Sequence, residues 1–228
     1  MNEPEGLFSI ADDPNPCTLR GTPCKTWSSS SCCSRDARSL AGFNTTGLRN
    51  TGAGWVGLTP SIAVQDILRF INLQSAVIHA IDPLAIVTIG SWSEMSQTDQ
   101  FGYFNYYKDE CLQAAGGQVY GVLNLNQYHA YAVPSYSSTS PFNHSASDYR
   151  MPNPIVVGEF SQDEGAGWTS PQQYTYVHRH GYAGAWGWQA NGSGVGADNM
   201  TTLMSGMSSI GREHMMHTRP PLKPFSLN

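Results

Sequence analysis

The feature that most limits what this chain can fold into is a repeating order of segments. Stretches with helical spacing alternate with short apolar runs, and each run ends in polar or aromatic residues. Leu84 to Ile89 leads into Gly90-Ser91-Trp92-Ser93-Glu94. Val119 to Leu125 leads into Asn126-Gln127-Tyr128-His129-Ala130-Tyr131. Ile155-Val156-Val157-Gly158 ends in Glu159, and Tyr182 to Trp188 closes on Trp186-Gly187-Trp188-Gln189. Nearly continuous apolar runs are expected of parallel strands covered on both faces. Helices are predicted from Ser61 to the Asp82-Pro83 stop, from Phe104 to Ala115, from Pro171 to His180, and from Asp198 to Ile210. Strands alternating with helices specify a parallel α/β sheet. Chemistry at every strand tip points to one face of a (β/α)8 barrel. An open doubly wound sheet would gather it at a single switch point.

The first residues extend the pattern. In Met1-Asn2-Glu3-Pro4, a carboxylate lies between an amide and a proline, as at the tip of a buried strand. Counting that strand, the chain supplies five. The expected fold class is therefore α/β, a partial (β/α)8 TIM barrel of strands 4 to 8 with their helices. Strands 1 to 3 would precede Met1, which then reads as an internal methionine. One catalytic-type domain over 1–228 is expected, with a long disulfide-stapled loop over 5–60 and a Pro-rich tail over 212–228.

Composition narrows the partners. Charged residues make up 13% of the chain and the net charge is −5, with no basic run, which argues against nucleic acid. No apolar run reaches the length of a membrane span. Eleven tyrosines, six tryptophans and few charges suit a neutral, flat-faced ligand such as a carbohydrate, or an aromatic core. Cys17, Cys24, Cys32 and Cys33 cluster in a Ser/Pro-rich stretch, which reads as a stapled loop. Zinc is the competing reading, but no CxxC pair is present. Cys111 stands apart, as a buried small residue or the partner of a cysteine outside this chain. Asn44, Asn143, Asn191 and Asn199 head N-x-S/T sequons. Together with the cysteines they imply secretion, the signal peptide being lost with the missing N-terminal part.

Two glutamates at strand tips, Glu3 and Glu159, are what a retaining glycoside hydrolase needs. Glu5 and Glu164 lie further out on the following loops. Trp27 and Trp55 fit sugar platforms or a small core under the loop. Gly192-x-Gly194-x-x-Ala197 has the outline of a dinucleotide fingerprint, but it follows a strand ending in two tryptophans, so no cofactor is expected. His214 and His217 sit at helical spacing, and solvated side chains explain them better than a metal.

These motifs resemble clan A glycoside hydrolases. Asn2-Glu3-Pro4 resembles the Asn-Glu-Pro at the end of their fourth barrel strand. Val157-Gly158-Glu159-Phe160 resembles the nucleophile motif ending the seventh. His129-Ala130-Tyr131 is similar to the His-x-Tyr of the sixth, and Trp188 to the tryptophan ending the eighth. Asp66 to Glu94 is also similar to the animal endo-β-1,4-mannanases of glycoside hydrolase family 5. The resemblance implies a retaining endo-β-1,4-mannanase acting on β-mannan as a monomer, with Glu159 as nucleophile and Glu3 as acid/base. It implies that Tyr131 hydrogen-bonds the nucleophile, that His129 and Asn2 contact sugar hydroxyls, and that Trp188 floors the cleavage point. Trp186, Trp92 and Glu94 are further candidates. Another β-1,4-glycanase such as a cellulase, an inactive fragment, and a hydrolase on a different α/β sheet are the competing readings.

Overall fold

The computed structural model describes residues 64–132, 136–190 and 196–217. Asn2, Glu3, the 5–60 segment with four of the five cysteines, the glycine-rich 192–194 stretch and the end of the tail lie outside the described residues. Helix α1 spans Val64–Ile81 and α2 spans Asp109–Gly116. Strand β1 is Asn126–His129 and β2 is Ile155–Glu159. Helix α3 is Ser170–Arg179, β3 is Gly184–Ala185, and α4 is Met200–His217. The three strands form one parallel sheet in the order β1-β2-β3. The segment before Trp92 runs alongside β1 as a further parallel neighbour. Ser91 bridges Tyr128, the Ser91 N–H donates to the Gln127 carbonyl, and the His129 N–H donates to the Ser91 carbonyl. Chain order is therefore spatial order, as in the wall of a (β/α)8 barrel.

Local chemistry sets the element ends. Beyond α1 the Leu84 N–H turns back to Asp82 Oδ1, an Asx turn at the proline. Gly117 ends α2 at φ +78°, a conformation glycine adopts without strain. Thr169 and Gln172 form a capping box at the start of α3, with Pro171 in its first turn. Asn199 Oδ1 accepts from the Thr202 N–H at the start of α4.

Several sequence expectations need correction. The second strand is not Val119–Leu125 but Asn126–His129, displaced toward the C-terminus; Val119 and Tyr120 lie exposed in a turn. The second helix begins at Asp109 rather than Phe104. Ahead of it, Asp99 accepts from the Asn105 N–H and Asn105 from the Tyr107 N–H, offering the backbone non-helical partners. Leu84 and Ile86 are not covered on both faces: they are 90% and 74% exposed, and the run forms no regular strand. The last helix runs on to His217, into the stretch expected to be tail. Cys111 is fully buried and disulfide-bonded, so it is not a free thiol.

Two cores result. One joins α1 and α2 through Ile67, Leu68, Ile71 and Leu112, with Ile89 and Leu123. The other lies between the sheet and α3 and is strongly aromatic, built on Tyr128, Phe142, Tyr149, Phe160 and Tyr174. Among the described residues no helix is long and apolar enough to cross a membrane.

Candidate active site

The sheet brings four expected strand tips to one side. Ser91–Glu94 follows the first, His129 and Tyr131 end the second, Glu159 ends the third, and Trp186 and Trp188 end the fourth. At the centre is Glu159, whose side chain is 12% exposed. Its Oε2 accepts a hydrogen bond from Tyr131 Oη at 3.1 Å and lies 3.3 Å from His129 Nδ1. Two contacts on one oxygen hold the carboxylate's rotamer.

A β-bulge makes this meeting possible. Up to Tyr128 the two strands run in step, with Tyr128 opposite Val157; the next pair is His129 with Glu159. Gly158 is the extra residue. In an unbulged register His129 would face Gly158, and Glu159 would point to the other side of the sheet. The bulge rephases β2 by one residue and turns Glu159 toward His129. Gly158 also has to be small: a Cβ there would come within 2.1 Å of Gln127 Cγ.

His129 is wholly buried, between Glu159 on Nδ1 and the Gln127 amide nitrogen, 3.3 Å from Nε2. The structure sets it against the carboxylate. The Glu94 carboxylate is buried and accepts hydroxyl hydrogen bonds from Thr139 Oγ1 at 2.7 Å and Ser137 Oγ at 2.9 Å. Burial pushes its carboxyl up from the ordinary value, partly offset by those two hydroxyls. Through these bonds it anchors the 137–139 loop. Trp92 is half-buried.

Trp186 and Trp188 are 49% and 38% exposed, large aromatic faces available for stacking. The turn between them is held from behind: the Gly187 N–H donates to Tyr174 Oη of α3 at 3.1 Å. The Trp188 N–H donates to the Phe160 carbonyl, one residue past Glu159, tying the platform to the carboxylate. Glu164 lies apart, beside Gly196. Among the described residues no group of three or more His, Cys, Asp or Glu is arranged to hold a metal ion. Gln127, Ser137, Thr139 and Tyr174 were not anticipated. Gln127 alone left a trace in the sequence, two residues before His129 on the same strand face.

No family model matches the sequence. Individual proteins do. A mannan endo-1,4-β-mannosidase from Cryptopygus antarcticus is 35% identical over 216 residues, covering 92% of this chain and 48% of that protein. One from Mytilus edulis is 44% identical over 147 residues, covering 64% of this chain and 40% of that protein. This chain is homologous to animal β-mannanases. Solved structures agree: the endo-1,4-β-mannanase from Eisenia fetida superposes with a TM-score of 0.73 at 42% identity, covering 92% of this chain and 51% of that one. The β-1,4-mannanase of the sea hare Aplysia kurodai gives 0.71 at 39% identity over the same shares. The fold is thus of the α/β class of the β-mannanases, and the chain spans about half the length of the relatives it matches.

Proposed function

We propose that this chain carries the nucleophile half of a retaining endo-β-1,4-mannanase, contributing strands 4 to 8 of a (β/α)8 barrel. The observation that supports this most is Glu159 at the strand tip, its Oε2 contacted by both Tyr131 and His129, in a chain homologous to β-mannanases. In this reading Glu159 attacks the anomeric carbon and forms a glycosyl-enzyme intermediate. Glu3, outside the described residues, protonates the departing oxygen and then deprotonates the incoming water. Carboxyl groups about 5–5.5 Å apart suit that double displacement, against roughly 6.5–9.5 Å for inversion. Tyr131 and His129 keep Glu159 aimed, Trp188 floors the cleavage point, and Trp186, Trp92 and Asn2 border the sugar. The ligand is neutral β-mannan, and the unit is a monomer. Secretion is part of the proposal, supported by the Cys111 disulfide and by the exposure of Asn143 and Asn199 in their sequons.

The test is release of reducing ends from β-mannan by the recombinant chain, with Glu159→Ala as reference and cellulose as competing substrate. Turnover on mannan that disappears in the variant supports the reading; turnover on cellulose alone redirects it to another glycanase. No turnover above the variant would favour an inactive fragment. That second reading has its own support, since the chain spans about half of its relatives and leaves Leu84 and Ile86 open to solvent.

A further inference from the structure

We infer that Asp198 is a positioning residue that holds the Trp188 platform in place beside Glu159. The inference rests on the reading of Glu159 as the nucleophile and Trp188 as the floor of the cleavage point. Glu159 ends β2 and Trp188 follows β3, so their relative position depends on what joins the two loops beyond those strands. Three hydrogen bonds join them in a closed circuit. The Trp188 N–H donates to the Phe160 carbonyl at 2.8 Å, next to Glu159. The Trp188 carbonyl accepts from the Asp198 N–H at 2.8 Å. Asp198 Oδ2 then accepts from the Gln162 N–H at 3.0 Å. The circuit leaves the nucleophile's loop at Phe160, passes through Trp188, and returns to that loop at Gln162. Without the Asp198 carboxylate the last link is lost and the circuit opens.

The surroundings give this link strength. Asp198 is 6% exposed, and a buried N–H left without an acceptor is costly. Burial pushes its carboxyl up, and the Gln162 and Asp163 N–H groups pull it back, so two consecutive backbone donors face it. The opposite loop answers in kind: Asp163 Oδ2 accepts from the Gly196 N–H at 2.9 Å. Each loop thus lends one aspartate to the backbone of the other. Both ends of the clasp rest on helices. Asp198 leads directly into α4, whose first turn is fixed by Asn199. On the other side, Gln162 Oε1 accepts from the Ser170 N–H of α3 at 2.9 Å, and the Ser161 carbonyl accepts from Gln173 Nε2 at 2.9 Å. The role is positional, since Asp198 meets Trp188 at its carbonyl and acts on the reaction through the backbone of the two loops.

Fluorine NMR of the chain labelled with fluorotryptophan tests the link without catalysis, with the Trp188 signal identified by its loss in Trp188→Phe. The wild type is expected to give one narrow Trp188 signal. In folded Asp198→Ala that signal should shift and broaden. Asp198→Asn keeps an oxygen to accept from Gln162 and should restore most of the wild-type signal. In a chain active on mannan, Asp198→Ala should lower kcat/KM about 10–100-fold, the scale on which a misplaced site loses rate, and Asp198→Asn should recover most of it. An unchanged Trp188 signal or unchanged kcat/KM in Asp198→Ala would overturn the inference, and so would an asparagine variant as impaired as the alanine one. If Asp198→Ala fails to fold, amide hydrogen exchange of the wild type decides: the Gln162 and Asp198 amides should be protected together, and an unprotected Gln162 amide overturns the inference. Lack of hydrolysis in a chain whose Trp188 signal responds to Asp198 would count against the mannanase reading and leave the positioning link standing.

Discussion

At the scale of single residues, the carboxylates divide by what surrounds them. Glu159 stays partly open and is held by a tyrosine and a histidine. Glu94 is sealed, and two hydroxyls offset only part of its burial cost. Because its folded-state pKa is raised, stability linked to Glu94 is full at pH below its unfolded value. That stability is lost as pH rises through the raised folded value. Glu94→Gln keeps an oxygen to accept from Ser137 and Thr139 but cannot ionise. The variant should lose less stability than the wild type as pH is raised from the acid side to neutrality. Thermal unfolding of both proteins across that window measures it, and parallel curves would show that folding does not raise the Glu94 pKa.

Among elements, α3 and α4 approach each other closely at a glycine. Gly206 of α4 sits where a Cβ would fall 2.3 Å from both Ser170 Oγ and Tyr174 Cδ2. An alanine in a helix interior is ordinarily about 1 kcal/mol better than glycine. Here it would drive into a tyrosine ring held in the aromatic core, and overpacking of that kind costs roughly 1–3 kcal/mol. The clash should win, leaving Gly206→Ala less stable by about 1 kcal/mol in chemical denaturation. The effect should also reach the site. Tyr174 Oη accepts from the Gly187 N–H between Trp186 and Trp188, so tryptophan fluorescence should change in the folded variant.

For the whole molecule, the two cores cover different sides unequally. The aromatic core beneath β2 and α3 is closed, with Tyr128, Val157 and Phe160 fully buried. Val77 and Ile81 of α1, and Leu84 and Ile86 just after it, are exposed apolar residues. Exposed apolar patches mark surfaces used for association. Leu84→Lys with Ile86→Lys removes apolar groups that are already in water. The denaturation midpoint should therefore move by less than about 0.5 kcal/mol, while binding of an apolar dye to the folded chain falls. A loss of several kcal/mol would mean that these side chains are covered in solution.

What could be read from the chain alone was periodic or local. Alternating helical and apolar segments established the parallel α/β class, because burial on two faces demands unbroken apolar runs. Pro171 and Asp82-Pro83 placed helix ends, because those signals act within a few residues. The tips carrying Glu159, His129, Tyr131 and Trp188 were visible for the same reason. The limits of β1 were not, because Val119–Leu125 and Asn126–His129 both pass as strand, and pairing with Ile155–Glu159 decides between them. Nor was the fate of Glu94 legible: its burial depends on hydroxyls more than forty residues away. Above all, whether Glu159 and His129 share a side of the sheet depends on one extra residue at Gly158. Alternation along a single strand cannot reveal that, since a one-residue change of register exists only between two strands.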